Sequence, residues 1–216
     1  MSSLLPIFPL ELVLLPGVPL PLHIFEPRYK EMIAECLEKN KPFGVVRASS
    51  DGVADIGCTA EIVSVTKKYD DGRMDILARG VAPFEVLEVN QDRSFLQAEI
   101  AVLEDEDKDD EDKDKDNEDK DKKEDKDGAA RPATEVLAQA VRLHAEIAKL
   151  AGAEPTGPDE QSCDLSFLLA GSLPLDLDFK QSLLSCRSEA KRLRAVVGYL
   201  EAILPALRRA SKARWN

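Results

Sequence analysis

The sequence predicts an α+β protein, with short strands in residues 1–103 and helices in residues 131–216. Apolar and polar residues alternate in Ala60–Val65 and in Phe84–Val89, and this period of two indicates half-buried strands. In the last third of the chain, apolar residues recur at helical spacing instead. Short strands bounded by turns favour a small barrel or curled sheet over parallel βαβ units.

The N-terminal segment predicts two strands interrupted by prolines, and then a helix. Leu5–Leu10 and Val18–Phe25 are apolar, and Pro16-Gly17 marks a turn between them. Because proline cannot donate to a ladder, both segments should be edge or irregular strands. Pro27 suits the first position of the helix, which should end at Asn40.

Five further strands are predicted after this helix, each bounded by turn residues. The clearest turn is Asp70-Asp71-Gly72, where glycine can take a positive φ in a tight hairpin. The predicted strands are Phe43–Ala48, Ile56–Lys67, Arg73–Arg79, Phe84–Val89 and Phe95–Leu103.

Most of the net charge of −12 comes from one tract. Glu104–Asp127 holds 16 of the 41 acidic residues and 7 of the 29 basic residues, and it contains no apolar side chain. Such a segment cannot bury apolar surface to offset the entropy lost on ordering, so residues 104–130 are predicted to be a disordered linker or surface loop. A calcium loop of the EF-hand type matches poorly, because Asn117 replaces the required glycine and Lys123 stands at position twelve.

Four helices are predicted in residues 131–216. The first runs from Thr134 to Leu150, where apolar residues follow helical spacing and Gly152 provides a stop. The others are Cys163–Ala170, a segment capped by Asp176 and ending at Ser185, and a last helix from Ser188 to about Leu204.

Composition argues against several classes of protein. No stretch of about 18 apolar residues is free of charges, so no membrane-spanning helix is expected. The N-terminus lacks the basic residues and the cleavage site of a secretory signal. Four cysteines without a CxxC pair, and only two histidines, predict reduced thiols in a cytoplasmic protein and no zinc site. A basic footprint for nucleic acid is also missing.

No motif for catalysis or cofactor binding is found. The patterns GxxxxGK[ST], GxGxxG and GxSxG are all missing. His23 lies among apolar residues and is interpreted as a hydrogen-bonded structural residue, and His144 is assigned a packing or solvent role on its helix. Asp176 and Asp178 lie at a helix start, where capping explains them better than acid–base catalysis. We therefore expect no catalytic residue, no cofactor and no metal.

Two N-terminal segments are candidates for a site. The first has apolar side chains that either belong to the core, the simpler interpretation for most of them, or line a groove where an extended peptide adds along an edge. This peptide-binding candidate consists of Leu14, Leu15, Val18, Leu20 and Tyr29. The second is the structural motif Glu26-Pro27-Arg28, in which Arg28 can pair with a neighbouring glutamate and hold the strand–helix junction.

Several segments carry a resemblance to a known family. The N-terminal ones are Leu5–Leu10, Val13–Gly17 and Pro21–Tyr29, and the middle ones are Ile56–Ile62, the Asp71-Gly72 hairpin and Ile76–Gly80. The C-terminal ones are Phe167–Ala170, Leu173–Leu175 and Phe179–Leu184. In this fixed order they resemble the amino-terminal domain of the ATP-dependent protease Lon, and the resemblance covers nearly the whole chain apart from the acidic tract.

That resemblance implies a PUA-like β-barrel followed by a helical bundle, in a region associated with substrate recognition and oligomer contacts. The protease's nucleotide loop and serine–lysine segment are not found, so the chain looks like a stand-alone, non-catalytic substrate-binding domain. We expect it to bind unfolded or extended polypeptide segments or a partner protein as an adaptor, without nucleic acid, membrane or cofactor, and as a monomer or weak homo-oligomer. The alternatives are an ATP-independent peptidase-like hydrolase and a small-ligand or RNA-binding PUA-like module.

Overall fold

The computed structural model describes residues 4–50, 52–106, 133–152 and 164–213. In these ranges the chain forms six strands and five helices, which confirms the predicted α+β class. The strands are β1 (Leu5–Leu10), β2 (Pro19–Ile24), β3 (Phe43–Ser49), β4 (Gly52–Lys68), β5 (Met74–Asn90) and β6 (Gln97–Val102). The helices are α1 (Pro27–Lys39), α2 (Ala133–Ala151), α3 (Leu165–Gly171), α4 (Leu177–Leu184) and α5 (Glu189–Ala213).

The described strands form one sheet in the order β2-β5-β4-β3-β1-β6, and β5 also pairs with β6. β1 and β3 run parallel, whereas the other pairs are antiparallel. The long strand β5 pairs with two strands besides β4: with β2 through Met74–Arg79 and with β6 through Phe84–Asn90. The finer prediction of a PUA-like barrel stays a prediction, and so do the domain boundaries at residues 103 and 131.

Where the sequence predicts two strands, Arg73–Arg79 and Phe84–Val89, the structure has the single strand β5. The prediction of two separate strands was wrong. In the β4–β5 ladder Pro83 stands opposite Cys58, next to a register shift between Cys58 and Ala60. A proline without an N–H group is tolerated beside such an irregularity, so the strand continues past it.

The last helix is also longer than predicted. It was expected to end at about Leu204, but α5 continues through Pro205 to Ala213. A proline inside a helix removes one hydrogen bond and typically costs about 3 kcal/mol. Pro205 is exposed, so water can satisfy the carbonyl group that loses its partner.

One hydrophobic cluster joins the sheet to the helices. It includes Phe43 and Ile76 from the sheet and Phe167 and Leu200 from the helices, each at most 1% exposed. A second, smaller cluster packs around Phe84 with side chains of β1, β3 and β6. The helices therefore complete the core that the sheet alone leaves open on one side.

The turn between β1 and β2 packs directly against helix α3. A Cβ atom added at Gly17 would lie 2.7 Å from Cδ2 of Leu168, and one added at Gly171 would lie 2.2 Å from Cγ2 of Val18. Gly17 also has a φ of +75°, which L side chains rarely adopt. Glycine at both positions lets the turn and the helix approach closely.

Residues 104–106, which open the predicted linker, are held by the connection between α4 and α5. The Glu106 N–H group donates to the Arg187 carbonyl at 2.9 Å, and Arg187 Nε donates to the Glu104 carbonyl at 2.8 Å. Arg192 binds the side chain of Asp105. Residues 107–130 of the predicted linker lie outside the described residues.

Candidate functional site

The residues predicted to bind a peptide lie mostly in the core. Leu14, Leu15, Leu20 and Tyr29 are between 1% and 7% exposed, and Val18 is half-buried. In this conformation the four buried side chains cannot touch a bound peptide. Their placement agrees with the core interpretation of the segment.

Glu26, Pro27 and Arg28 form the junction between β2 and α1. Pro27 is the first residue of the helix, and the Glu26 carbonyl accepts from the N–H groups of Tyr29 and Lys30 at 3.1 and 2.9 Å. Arg28 Nη2 lies 2.8 Å from Glu26 Oε2, and the Arg28 guanidinium carbon lies 4.6 Å from the centre of the Tyr29 ring. The motif thus fixes the direction in which the helix leaves the strand.

Strand β2 turns alternate side chains to solvent. Leu20 and Ile24 are buried, whereas Pro19, Pro21 and His23 are exposed. Paired residues of neighbouring strands share one face of a sheet, so the exposed side chains of β2 lie beside those of β5 and β4. The next position in this alternation is occupied by the aromatic residue that follows the strand.

That residue, Phe25, is 58% exposed and lies at one end of a row of three rings. Its ring stacks on His23 with 5.9 Å between centroids, and the His23 ring meets Tyr69 edge-on at 5.8 Å. Asp75 is the ladder partner of His23 on β5. We name His23, Phe25, Tyr69 and Asp75 together the Phe25 surface.

Hydrogen bonds orient the polar members of the Phe25 surface. His23 Nδ1 lies 2.5 Å from Asp75 Oδ1, and the Tyr69 hydroxyl donates to Asp75 Oδ2 at 2.9 Å. The hydrogen bond from His23, and after it the one from Tyr69, lowers the pKa of Asp75, which is therefore ionised at neutral pH. A surface whose rings are already oriented loses less entropy when it binds a ligand.

Basic side chains surround this surface and hold it against helix α1. Lys67 Nζ and Arg73 Cζ lie 4.5 and 5.0 Å from the centre of the Tyr69 ring. Lys30 Nζ of α1 donates to the Asp71 carbonyl at 3.2 Å, and Arg73 Nε donates to the Asp71 carboxylate at 2.6 Å. The turn between β4 and β5 is thereby fixed beside the start of α1.

An exposed aromatic side chain among other rings is typical of a surface that binds proteins. Single exposed apolar residues are ordinary, but aromatic side chains are enriched where binding energy is concentrated. Phe25 offers an apolar contact, while Asp75 and Lys67 offer an acceptor and a donor nearby. This combination suits a polypeptide segment with an apolar side chain.

Phe25 and Tyr69 were not among the residues predicted to bind a peptide. His23 was predicted to make a structural hydrogen bond, and it does bond to Asp75, but its side chain is 45% exposed. The period of two along β2 could have placed Phe25 on the exposed face, because it lies two residues after His23. The approach of Tyr69 depends on how β2 pairs with β5, which no local pattern gives.

One histidine–serine contact bears on the hydrolase alternative. His144 is buried, and its Nε2 lies 2.6 Å from Oγ of Ser172. The Ser172 hydroxyl donates to the Leu169 carbonyl at 3.0 Å, so it accepts from the histidine. Burial lowers the pKa of His144, which stays neutral at pH 7. Among the described residues no carboxylate bonds to its Nδ1, as a catalytic triad requires.

The buried thiols are poor nucleophiles and poor metal ligands. Burial raises the pKa of Cys58 to about 12 and that of Cys36 to about 11, and the protonated form is unreactive.

Across the described ranges, no three His, Cys, Asp or Glu side chains are placed to hold a metal ion. No helix in that part of the chain is long and apolar enough to cross a bilayer. Cys163 lies outside the described residues.

Comparison with known proteins points to one family. The model of the ATP-dependent protease La (LON) substrate-binding domain matches residues 4–202. Over 110 residues the chain is 34% identical to a Lon protease of Parabacteroides distasonis, and over 107 residues it is 31% identical to cereblon of Gallus gallus. Each match covers 47% of this chain, but only 13% and 24% of those relatives, so the chain spans a small part of their length.

Two solved structures share the fold. A Lon N-terminal domain protein from Xanthomonas campestris matches with a TM-score of 0.63 and 24% identity, over 91% of this chain and 98% of that one. The N-terminal domain of a Mycobacterium avium complex Lon protease matches with a TM-score of 0.65 and 14% identity, over 92% and 98%. At these identities the likeness shows the fold alone.

Proposed function

Because this chain belongs to the family of LON substrate-binding domains, we propose that it is a non-catalytic module that binds unfolded or extended segments of polypeptide. It acts as an adaptor that holds such a segment for a partner protein. The family assignment supports binding of polypeptides in general, and the Phe25 surface is the binding site in this proposal. The hydrolase and RNA-binding alternatives gain no support from the contacts described above.

The observation that carries this proposal is the exposure of Phe25. Its ring is 58% exposed although it stacks on His23, so a bound segment can cover its outer side. Full burial of an aromatic side chain contributes about 1.5–3 kcal/mol, so covering the exposed part of Phe25 contributes about 0.9–1.7 kcal/mol, roughly a fivefold to twentyfold change in affinity. A patch of this size supports affinities in about the micromolar range at best.

The experiment compares two variants of equally exposed residues. Phe25→Ser removes the exposed ring, and Leu87→Ser removes another apolar side chain that is also 58% exposed but lies on the half of β5 that pairs with β6. A reduced, carboxymethylated model protein labelled with fluorescein reports binding by anisotropy. We expect saturable binding to the unaltered chain, at least about fivefold weaker binding to Phe25→Ser, and little change for Leu87→Ser. Absence of saturable binding, or equal losses in both variants, would contradict the proposal.

A further inference from the structure

A polypeptide can be held at a sheet in two ways. Its backbone can pair with a free strand edge, or its side chains can dock on a face. Among the described residues, the sheet has two free edges near the Phe25 surface. One is the outer edge of β2, and the other is the edge of β4 from Glu61 to Lys68, because β3 pairs with β4 only as far as Ala60.

The outer edge of β2 has few hydrogen-bond donors. The Gly80 N–H group donates to the Val18 carbonyl at 3.1 Å, so the backbone of Val18 faces β5. Backbone groups alternate in direction along a strand, so those of Pro19, Pro21 and His23 face away from β5. Two of these three positions have no N–H group, which removes the donors that an added strand needs.

The free edge of β4 is irregular and charged. Its ladder with β5 shifts register between Ile62 and Ser64, and again between Val65 and Lys67, so β4 holds an extra residue at each place. Such bulges bend the strand and interrupt the regular spacing of its backbone groups. The segment ends in Lys67 and Lys68, both exposed. Bulges and lysines are two means by which natural sheets resist edge pairing.

We propose that the Phe25 surface binds polypeptides through their side chains and not by strand addition. This inference rests on the proposed function and specifies the partner: a segment that presents an apolar side chain to Phe25 and His23, whichever backbone conformation it has. Both neighbouring edges resist pairing, through prolines on β2 and through bulges and lysines on β4, whereas the rings of Phe25 and His23 on the face are exposed and stacked. The Phe25 surface then selects a polypeptide by its side chains, and the backbone amide groups of the bound segment form no hydrogen bonds with the protein.

N-methylated peptides separate the two modes of binding. The probe is a fluorescein-labelled peptide of about ten residues in which phenylalanine and leucine alternate with serine. Two further versions carry N-methyl groups, one on the amides of the apolar residues and the other on the amides of the serines. In strand addition, the amide groups of only one of these alternating sets face the protein. N-methylation of that set therefore abolishes backbone pairing.

We expect the dissociation constants of both methylated peptides to lie within about threefold of that of the parent peptide, because side-chain docking uses no backbone amide. Loss of a backbone interaction would instead change the dissociation constant by about tenfold, or about 1.4 kcal/mol. We also expect Phe25→Ser to weaken all three peptides and Leu87→Ser to weaken none. A loss of about tenfold or more on methylation of either set would overturn side-chain docking and leave the proposed function intact. If the parent peptide does not bind, or if Phe25→Ser leaves its binding unchanged, the proposed function fails and the inference fails with it.

Discussion

The guanidinium group of Arg192, which is 1% exposed, forms two hydrogen bonds to the carboxylate of Asp105, at 2.5 and 2.7 Å. The same group bonds to Glu189 at 2.9 Å and to the Cys186 carbonyl at 2.7 Å, and it lies 4.3 Å from the centre of the Phe167 ring. Burial by itself lowers the pKa of Arg192, but the hydrogen bond and charge of Asp105, together with Glu189, raise it overall. The residues that follow β6 are thus fastened to α5 by a buried cation.

We predict that Asp105→Asn destabilises the protein by about 1–3 kcal/mol. Removing one partner of a fully buried pair costs about 3–5 kcal/mol. The expected loss is smaller here, because Asp105 is itself 43% exposed and Glu189 still pairs with Arg192. Urea denaturation followed by circular dichroism measures the change. Glu106→Gln is the matched control, because Glu106 contributes its backbone N–H group and not its side chain. Equal stability of the two variants would contradict the prediction.

The pKa of Glu35 predicts how stability depends on pH. A hydrogen bond from Arg93, and then one from Lys39, lowers this pKa from 4.5 to about 2. A carboxyl whose pKa is lowered on folding stabilises the protein fully above its unfolded value, and this stabilisation is lost as the pH falls from about 4.5 to about 2. The free energy of unfolding of Glu35→Gln should therefore lie below that of the unaltered protein at pH 7, and this gap should narrow at pH 3.

The control for this prediction is Glu38→Gln, an exposed glutamate on the same helix. Denaturant titrations at pH 7 and pH 3 are needed for all three proteins. If the gap between Glu35→Gln and the unaltered protein were the same at both values, the ion pair would not be the source of the pH dependence.

Gly171→Ala should be destabilising, and Val18→Ala should relieve part of the cost. The added methyl group would lie 2.2 Å from Cγ2 of Val18, so the turn or the helix must shift, at a cost of about 1–3 kcal/mol. Truncation of Val18 makes room, so the double variant should lose less stability than the sum of the single variants. Thermal denaturation of the four proteins measures this coupling. Additive losses would show that the turn and α3 do not share the contact.

Gly198→Ala is the matched change in a helix with open space around it, since no atom lies within 4 Å of the added methyl group. Alanine favours a helix over glycine by about 0.5–1 kcal/mol, so this variant should be more stable than the parent. The opposite signs expected at Gly171 and Gly198 separate the close contact from helix propensity.

The cysteines should differ in reactivity. Burial raises the pKa of the Cys36 and Cys58 thiols, whereas Cys186 is only half-buried. Iodoacetamide at pH 8 should label Cys186 in the native protein, and it should label Cys36 and Cys58 only after denaturation. Peptide mapping by mass spectrometry resolves the sites. Rapid native labelling of Cys58 would mean that the sheet opens locally.

Local patterns predicted most elements but not their limits. The turn at Asp70-Asp71-Gly72, Pro27 at the start of α1 and the cap at Asp176 all follow from the chemistry of single residues, and the structure has them where they were expected. The predicted limits were wrong near Pro83 and Pro205, where a strand and a helix continue past a proline. The cost of a proline depends on its surroundings: Pro83 lies beside a register shift in the β4–β5 ladder, and Pro205 is exposed to solvent.

The candidate site depended on contacts that sequence patterns do not contain. His23 and Asp75 are 52 residues apart and meet because β2 pairs with β5 in one register, and Arg192 and Asp105 are 87 residues apart. The sequence alone determined the α+β class and the edge position of the proline-containing strand β2, since these follow from backbone chemistry over a few residues. The same reasoning was wrong for β1, which contains two prolines but lies between β3 and β6. Only the tertiary structure buried Leu14, Leu15, Leu20 and Tyr29 and left Phe25 open beside His23. Burial depends on which distant segments pack together, and side chains from the whole core contribute to the free energy of that packing.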